Sequence, residues 1–186
     1  MQGLVFTWIE RFLIDSHGDA VCAAALAKAG FADAEPWVAP LHYPDQQFTH
    51  LIHAAAAQTG QTREEFLHDA ARWCVPLALH RLAAVTGTVH DPIELLENLA
   101  APGSQGLRQQ WRSLLPTRLR LGCEVSAVDL HHARLRCHAD SEGLAIIAGV
   151  LDGLAAQAGL TAMRIARRSL DDGAVFELSC EPGAVA

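Results

Sequence analysis

The sequence lacks the features that a membrane protein, a nucleic-acid binder or a common hydrolase requires. No apolar run in its 186 residues approaches the ~20 needed to cross a bilayer. Stretches such as Val21 to Ala27 fall well short, and no basic-then-apolar leader opens the chain, so no membrane partner and a cytoplasmic location are expected. Basic residues are few, with 14 Lys and Arg against 21 Asp and Glu, for a net charge of −7. Arg63, Arg72, Arg81, Arg108 and Arg112 are dispersed among acids. A phosphate backbone is gripped by clustered cations, so nucleic acid is not an expected partner. The five cysteines, Cys22, Cys74, Cys123, Cys137 and Cys180, form no Cys-x-x-Cys pair with which to start a zinc site. They read as reduced, mostly buried thiols. There is no Gly-x-Ser-x-Gly elbow, Gly-rich phosphate loop or His-Glu-x-x-His, so an enzyme is not expected.

The patterns that are present divide the chain in two. Up to about residue 115 the apolar spacing is helical. Val5, Trp8, Ile9, Phe12 and Leu13 mark the inner face of an opening helix. A second helix runs through Val21 to Lys28 and stops at Gly30. Phe48, Leu51, Ile52 and Ala55 form the stripe of a third, ending at Gly60. Thr62-x-x-Glu65 is a capping box for a long helix through Phe66, Ala70, Trp73, Leu77 and Leu79, and Pro76 should bend or break it. Asp91-Pro92 then opens a helix carrying Ile93, Leu96 and Leu99.

After Pro116 the period becomes alternating. Leu119, Leu121, Cys123 and Val125 predict one strand, and Ala133, Leu135 and Cys137 a second, joined near Asp129. Ser141 or Asp140 caps a helix to Gln157. Met163 and Ile165, then Val175, Phe176 and Leu178, flank a hairpin turn at Asp171-Asp172-Gly173. The fold class is therefore α+β with an antiparallel sheet. A length of 186 residues suits one domain, or one domain in two lobes.

Several motifs follow one another in a telling order. They are Met1-Gln2-Gly3-Leu4-Val5-Phe6-Thr7-Trp8-Ile9, His42-Tyr43-Pro44-Asp45, Gln58-Thr59-Gly60, Leu96-Glu97-Asn98-Leu99, Pro116 and Gly149-x-x-x-Gly153. In order and spacing they resemble the H-NOX family, haem domains that sense nitric oxide or oxygen, and the resemblance covers nearly the whole chain. It implies a single domain over 1–186: a helical subdomain of about 1–60, then a helix plus a four-stranded antiparallel sheet over about 61–182.

The family's chemical residues are not carried over. Its iron ligand is a histidine a few residues beyond the Leu-Leu-x-x-Leu run. With Leu95-Leu96 and Pro116 as anchors, that position falls on Gly103, which has no ligating atom. Its Tyr-x-Ser-x-Arg motif, which clamps the haem propionates, falls on Cys137, Ala139 and Ser141. A register shifted by one gives His138, Asp140 and Glu142, and two carboxylates would repel propionates. Burying a few hundred Å² of porphyrin is worth on the order of 10 kcal/mol at ~25 cal/mol/Å², so losing one ligand does not by itself exclude haem. Losing the clamp as well does more.

The resemblance places Leu4, Val5, Trp8, Cys74, Ala78, Ile146 and Val150 beside the cofactor pocket, with Gly103 and Pro116 completing its outline. The same residues also read as plain core. The expectation is an H-NOX-like bacterial sensory domain with no cofactor, holding an apolar small molecule or acting by protein contact. Its partner would be a separate histidine kinase or cyclic-di-GMP enzyme, since no such domain is fused here. The alternative is a haem-binding sensor with a non-standard ligand. A metal site at His138, Asp140 and Glu142, or at His50 and His53 one helical turn apart, is weighed against simple capping and exposure.

Overall fold

In a computed structural model of the chain, the described residues are 1–32, 35–86, 122–129, 132–157 and 163–180. The helix expected after Asp91-Pro92, together with Gly103, Pro116, Leu119 and Leu121, lies outside them. The elements are α1 (Gly3–His17), α2 (Asp19–Lys28), α3 (Asp45–Thr59), α4 (Arg63–Thr86), β1 (Gly122–Asp129), β2 (His132–His138), α5 (Ser141–Gln157), β3 (Met163–Leu170) and β4 (Gly173–Cys180).

The local signals act as their chemistry requires. Gly30 closes α2 at φ +87°, with Phe31 N–H donating to Leu26 C=O at 2.8 Å and Gly30 N–H to Ala27 C=O at 3.1 Å. That pair satisfies two carbonyls the helix end would leave open. Thr62 and Glu65 form the capping box reciprocally. Glu65 N–H donates to Thr62 Oγ1 at 3.2 Å, and Thr62 N–H donates to Glu65 Oε2 at 2.8 Å. α4 continues through Pro76 instead of ending there.

The first core gathers α1, α2, α3 and the start of α4 around Phe6, Leu13, Leu51 and Phe66. Here one expectation needs correction. The fully buried ring on α1 is Phe6, whereas Val5 and Trp8 are only half-buried. The inner face is centred on Phe6, Ile9 and Leu13, which leaves Val5 and Trp8 on its flank. Phe6 stacks on Trp37 at 4.3 Å between centroids, and Tyr43 meets Trp37 edge-on at 5.0 Å. Two distant motifs thereby meet: Gln2 bridges to His42, and Tyr43 N–H donates to Met1 C=O at 2.8 Å.

Trp37 Nε1 donates to Glu10 Oε1 at 2.5 Å, while burial pushes the Glu10 carboxyl above its ordinary value despite that bond. A raised carboxyl pKa means the folded state holds the proton more tightly than the unfolded chain. The associated stability is present at low pH and lost as pH rises through the folded value. Glu10→Gln keeps an acceptor for Trp37 without the desolvated charge. It is expected to raise the melting temperature at pH 7 and to narrow the difference between pH 5 and pH 7, measured by thermal melting. An unchanged pH dependence would remove Glu10 from this role.

The second core lies between α5 and the sheet, whose strand order is β1-β2-β4-β3, antiparallel throughout. Leu135 pairs with Phe176 and Cys137 with Ala174, and these side chains pack on Leu144, Ile147 and Leu151 of α5. The hairpin turn takes Asp171 and Asp172, and Gly173 already belongs to β4. Gly173 is required for close approach, since a Cβ there would collide with the Cys137 carbonyl. No described residue other than Gly18, Gly30 and Gly60 has positive φ.

Candidate functional site

The expected pocket residues come from three helices: Leu4, Val5 and Trp8 on α1, Cys74 and Ala78 on α4, and Ile146 and Val150 on α5. Leu4 and Ala78 are buried, and the other five are half-buried. Val5 and Ile146 both pack against the first core, and Val150 packs against Val75 and Leu154 between α4 and α5. Cys74 is half-buried, and burial pushes its thiol up to about 12. At neutral pH it stays a thiol, which is a poor nucleophile and a poor ligand.

What binds α5 to α4 is the absence of two side chains. A Cβ on Gly149 would run into the His68 carbonyl, and one on Gly153 would sit 2.6 Å from Val75 Cγ2 and 2.8 Å from the Arg72 carbonyl. The Gly149-x-x-x-Gly153 spacing thus lets two helix backbones touch. Beside this seam is a cluster that sequence reasoning missed. His68 Nε2 lies 2.9 Å from Asp152 Oδ2, and Nδ1 lies 3.1 Å from Asp69 Oδ1. His68-Asp69 was visible as a dipeptide, but the third member is 84 positions away.

At the corner where β2 turns into α5, most of the described polar side chains are engaged locally, although the Arg63 Nε is buried without a hydrogen-bond partner. Cys137 is wholly buried in the second core, and Ala139 packs against the same core. Ser141 Oγ donates to Glu64 Oε1 at 2.8 Å, the main reason the Glu64 carboxyl falls below its ordinary value. Arg63 pairs with Glu142. Asp140 Oδ1 accepts the Gly143 N–H at 2.8 Å and so caps α5, and His138 Nδ1 lies 2.9 Å from Asp172 Oδ2. The triad His138, Asp140 and Glu142 is therefore pulled in three directions. No group of three potential metal ligands occurs among the described residues. His50 and His53 are exposed on α3.

A family model described as haem-NO-binding matches residues 2–101, more than half of the chain. The chain belongs to the H-NOX family. Comparison with curated protein sequences gives no match. Among solved structures, an H-NOX protein from S. oneidensis in the Fe(II)NO ligation state is similar to this chain with a TM-score of 0.78 at 13% identity. It covers 97% of this chain and 99% of its own. An unliganded Fe(II) H-NOX protein from K. algicida gives 0.76 at 13% identity, covering 98% of each. At such identities the likeness speaks for the fold alone. No helix among the described residues is long and apolar enough to cross a membrane.

The H-NOX fold raises the question of haem, and the described residues at the corner between β2 and α5 do not fit its propionates. A haem dianion needs cations at its propionates, ideally a bidentate guanidinium. Cys137, Ala139 and Ser141 offer none, and the nearby Arg63 is held by Glu142. A tyrosine in place of Cys137 would have to enter a core with no exposed surface.

Proposed function

We propose that this chain is an H-NOX sensory domain whose haem site has given way to an apolar recess. It acts without catalysis of its own on a separate signalling protein, a histidine kinase or a cyclic-di-GMP enzyme, in the cytoplasm. The observation that carries this reading is the clamp corner, where Cys137 is core and Ser141 and Arg63 are committed to Glu64 and Glu142. The half-buried, strongly desolvated Cys74 supports a recess that still has room for an apolar small molecule.

The test is native mass spectrometry with a pyridine haemochrome assay on protein expressed with haem supplied. The expected result is no stoichiometric haem and, where a ligand is retained, a bound mass that Ala78→Phe displaces. Filling a recess leaves the melting temperature unchanged or raised, whereas overpacking a filled core costs typically ~1–3 kcal/mol. Stoichiometric haem would replace this reading with a haem sensor using a non-standard ligand. A clear loss of melting temperature in Ala78→Phe would mean that no recess exists.

A further inference from the structure

We propose that a second site, on the face of α4 roughly opposite Cys74 and Ala78, binds a small planar aromatic carboxylate. An open cleft of about 620 Å³ lies between the end of α1, the middle of α4 and the end of α5. That volume is in the range that holds a small organic ligand, roughly 300–1,000 Å³. At 100° per residue, Asp69, Arg72, Trp73 and Pro76 share one stripe of α4, and Cys74 and Ala78 lie on another. The site is thus distinct from the proposed recess and does not depend on it.

Its walls favour a flat ring. Phe12 and Trp73 come from different helices with centroids 6.0 Å apart at 54°, and Leu77 and Pro76 extend the apolar surface. Phe12 is buried, whereas Trp73 is only half-buried and keeps surface for a ligand. Gly153, packed against the Arg72 carbonyl and Val75, forms part of the lining where α5 meets α4.

Its rim favours an anion. Arg72 is exposed at the edge of the cavity and makes no ion pair among the described residues. The acid on the same stripe, Asp69, is already engaged by Gln61 Nε2 at 2.8 Å and by His68 Nδ1 at 3.1 Å. His17, edge-on to Phe12 at 5.7 Å, adds a second nitrogen-bearing ring at the rim. A planar guanidinium beside two aromatic rings matches an aryl carboxylate, which takes two parallel hydrogen bonds from the fork. Such a ligand would touch α1 and α5 at once and so join the first core to the helix that carries the sheet.

Isothermal titration calorimetry with 1-naphthoate, and with its neutral amide as control, tests the proposal on the full chain. Saturable one-to-one binding of naphthoate is expected. Arg72→Gln, at an exposed position, should weaken naphthoate by about 10-fold or more while leaving the amide unchanged, the effect of losing a charge-assisted hydrogen bond. Trp73→Leu should weaken both, with its folding checked by circular dichroism. Absence of saturable naphthoate binding, or an equal effect of Arg72→Gln on acid and amide, would overturn it. So would loss of naphthoate binding in Ala78→Phe with none in Arg72→Gln, since that pattern puts the ligand in the recess.

Discussion

Replacing Gly149 by valine is expected to lower the melting temperature by roughly 2–12 °C. The estimate takes ~1–3 kcal/mol for overpacking and ~2–4 °C per kcal/mol for a domain of this size. Two effects compete at this position. Any residue other than glycine or proline favours the helix intrinsically, by up to ~1 kcal/mol for alanine and less for valine. Against this, the added Cβ meets the His68 carbonyl, a backbone atom in the second turn of α4 that cannot rotate aside. The helices must separate, and the Val75–Leu154 contact that closes the seam is lost with them. The steric cost therefore wins. Ala27→Val, at an exposed position on α2, serves as the control and should cost no more than about 0.7 kcal/mol. A Gly149→Val protein that melts with the wild type would show that α4 and α5 are not in backbone contact.

Gly103→His is expected to leave haem occupancy far below stoichiometric, as measured by the pyridine haemochrome assay and the Soret band. The substitution returns an iron ligand at the position the H-NOX pattern assigns to it, but the propionates still meet no cation. Arg63 stays on Glu142, and Ser141 stays on Glu64. Ser141→Arg added to Gly103→His should raise occupancy further, because Ser141 is exposed and can be enlarged without disturbing a core. Cys137→Tyr should not help in the same way. It puts a large ring into the fully buried layer between β2, β4 and α5, where overpacking costs typically ~1–3 kcal/mol. Full five-coordinate haem in the single variant would show that the clamp is dispensable and that the corner carries no weight in the functional reading.

These expectations differ in how much of their basis can be read without coordinates. The capping box at Thr62 and Glu65, the Gly30 helix stop and the Ser141–Gln157 helix depend on residues within a few positions of one another. The short-range geometry of the backbone decides them, and each is found where its pattern predicts. The inner face of α1 is read less well. Val5, Trp8 and Phe12 are as apolar as Phe6, and only the position of Trp37 and Phe48 decides that Phe6 is the ring to be enclosed. Pro76 is a further case. Its missing N–H is a local cost, but α4 is held on both sides of it, by Phe66 and Ala70 in the first core and Val75 before it, and by Leu79 beyond it, packed with Val75 and Leu154. Packing keeps the helix continuous where intrinsic preference would end it.

The sequence by itself determined the α+β class, the order of the described elements and the family, and it is the family resemblance that assigns the haem positions to Gly103, Cys137, Ala139 and Ser141. These follow from residue identities and periodicities, which are local properties of a chain. Tertiary structure alone decided that Cys137 is sealed in a core, that Arg63 and Ser141 are spent on Glu142 and Glu64, and that Asp152 joins His68. It also decided that Phe12, Arg72 and Trp73 share a cavity. Each of those facts joins residues tens of positions apart or weighs a side chain against its neighbours. The energy that settles them comes from burial and charge pairing between elements, which no local pattern encodes.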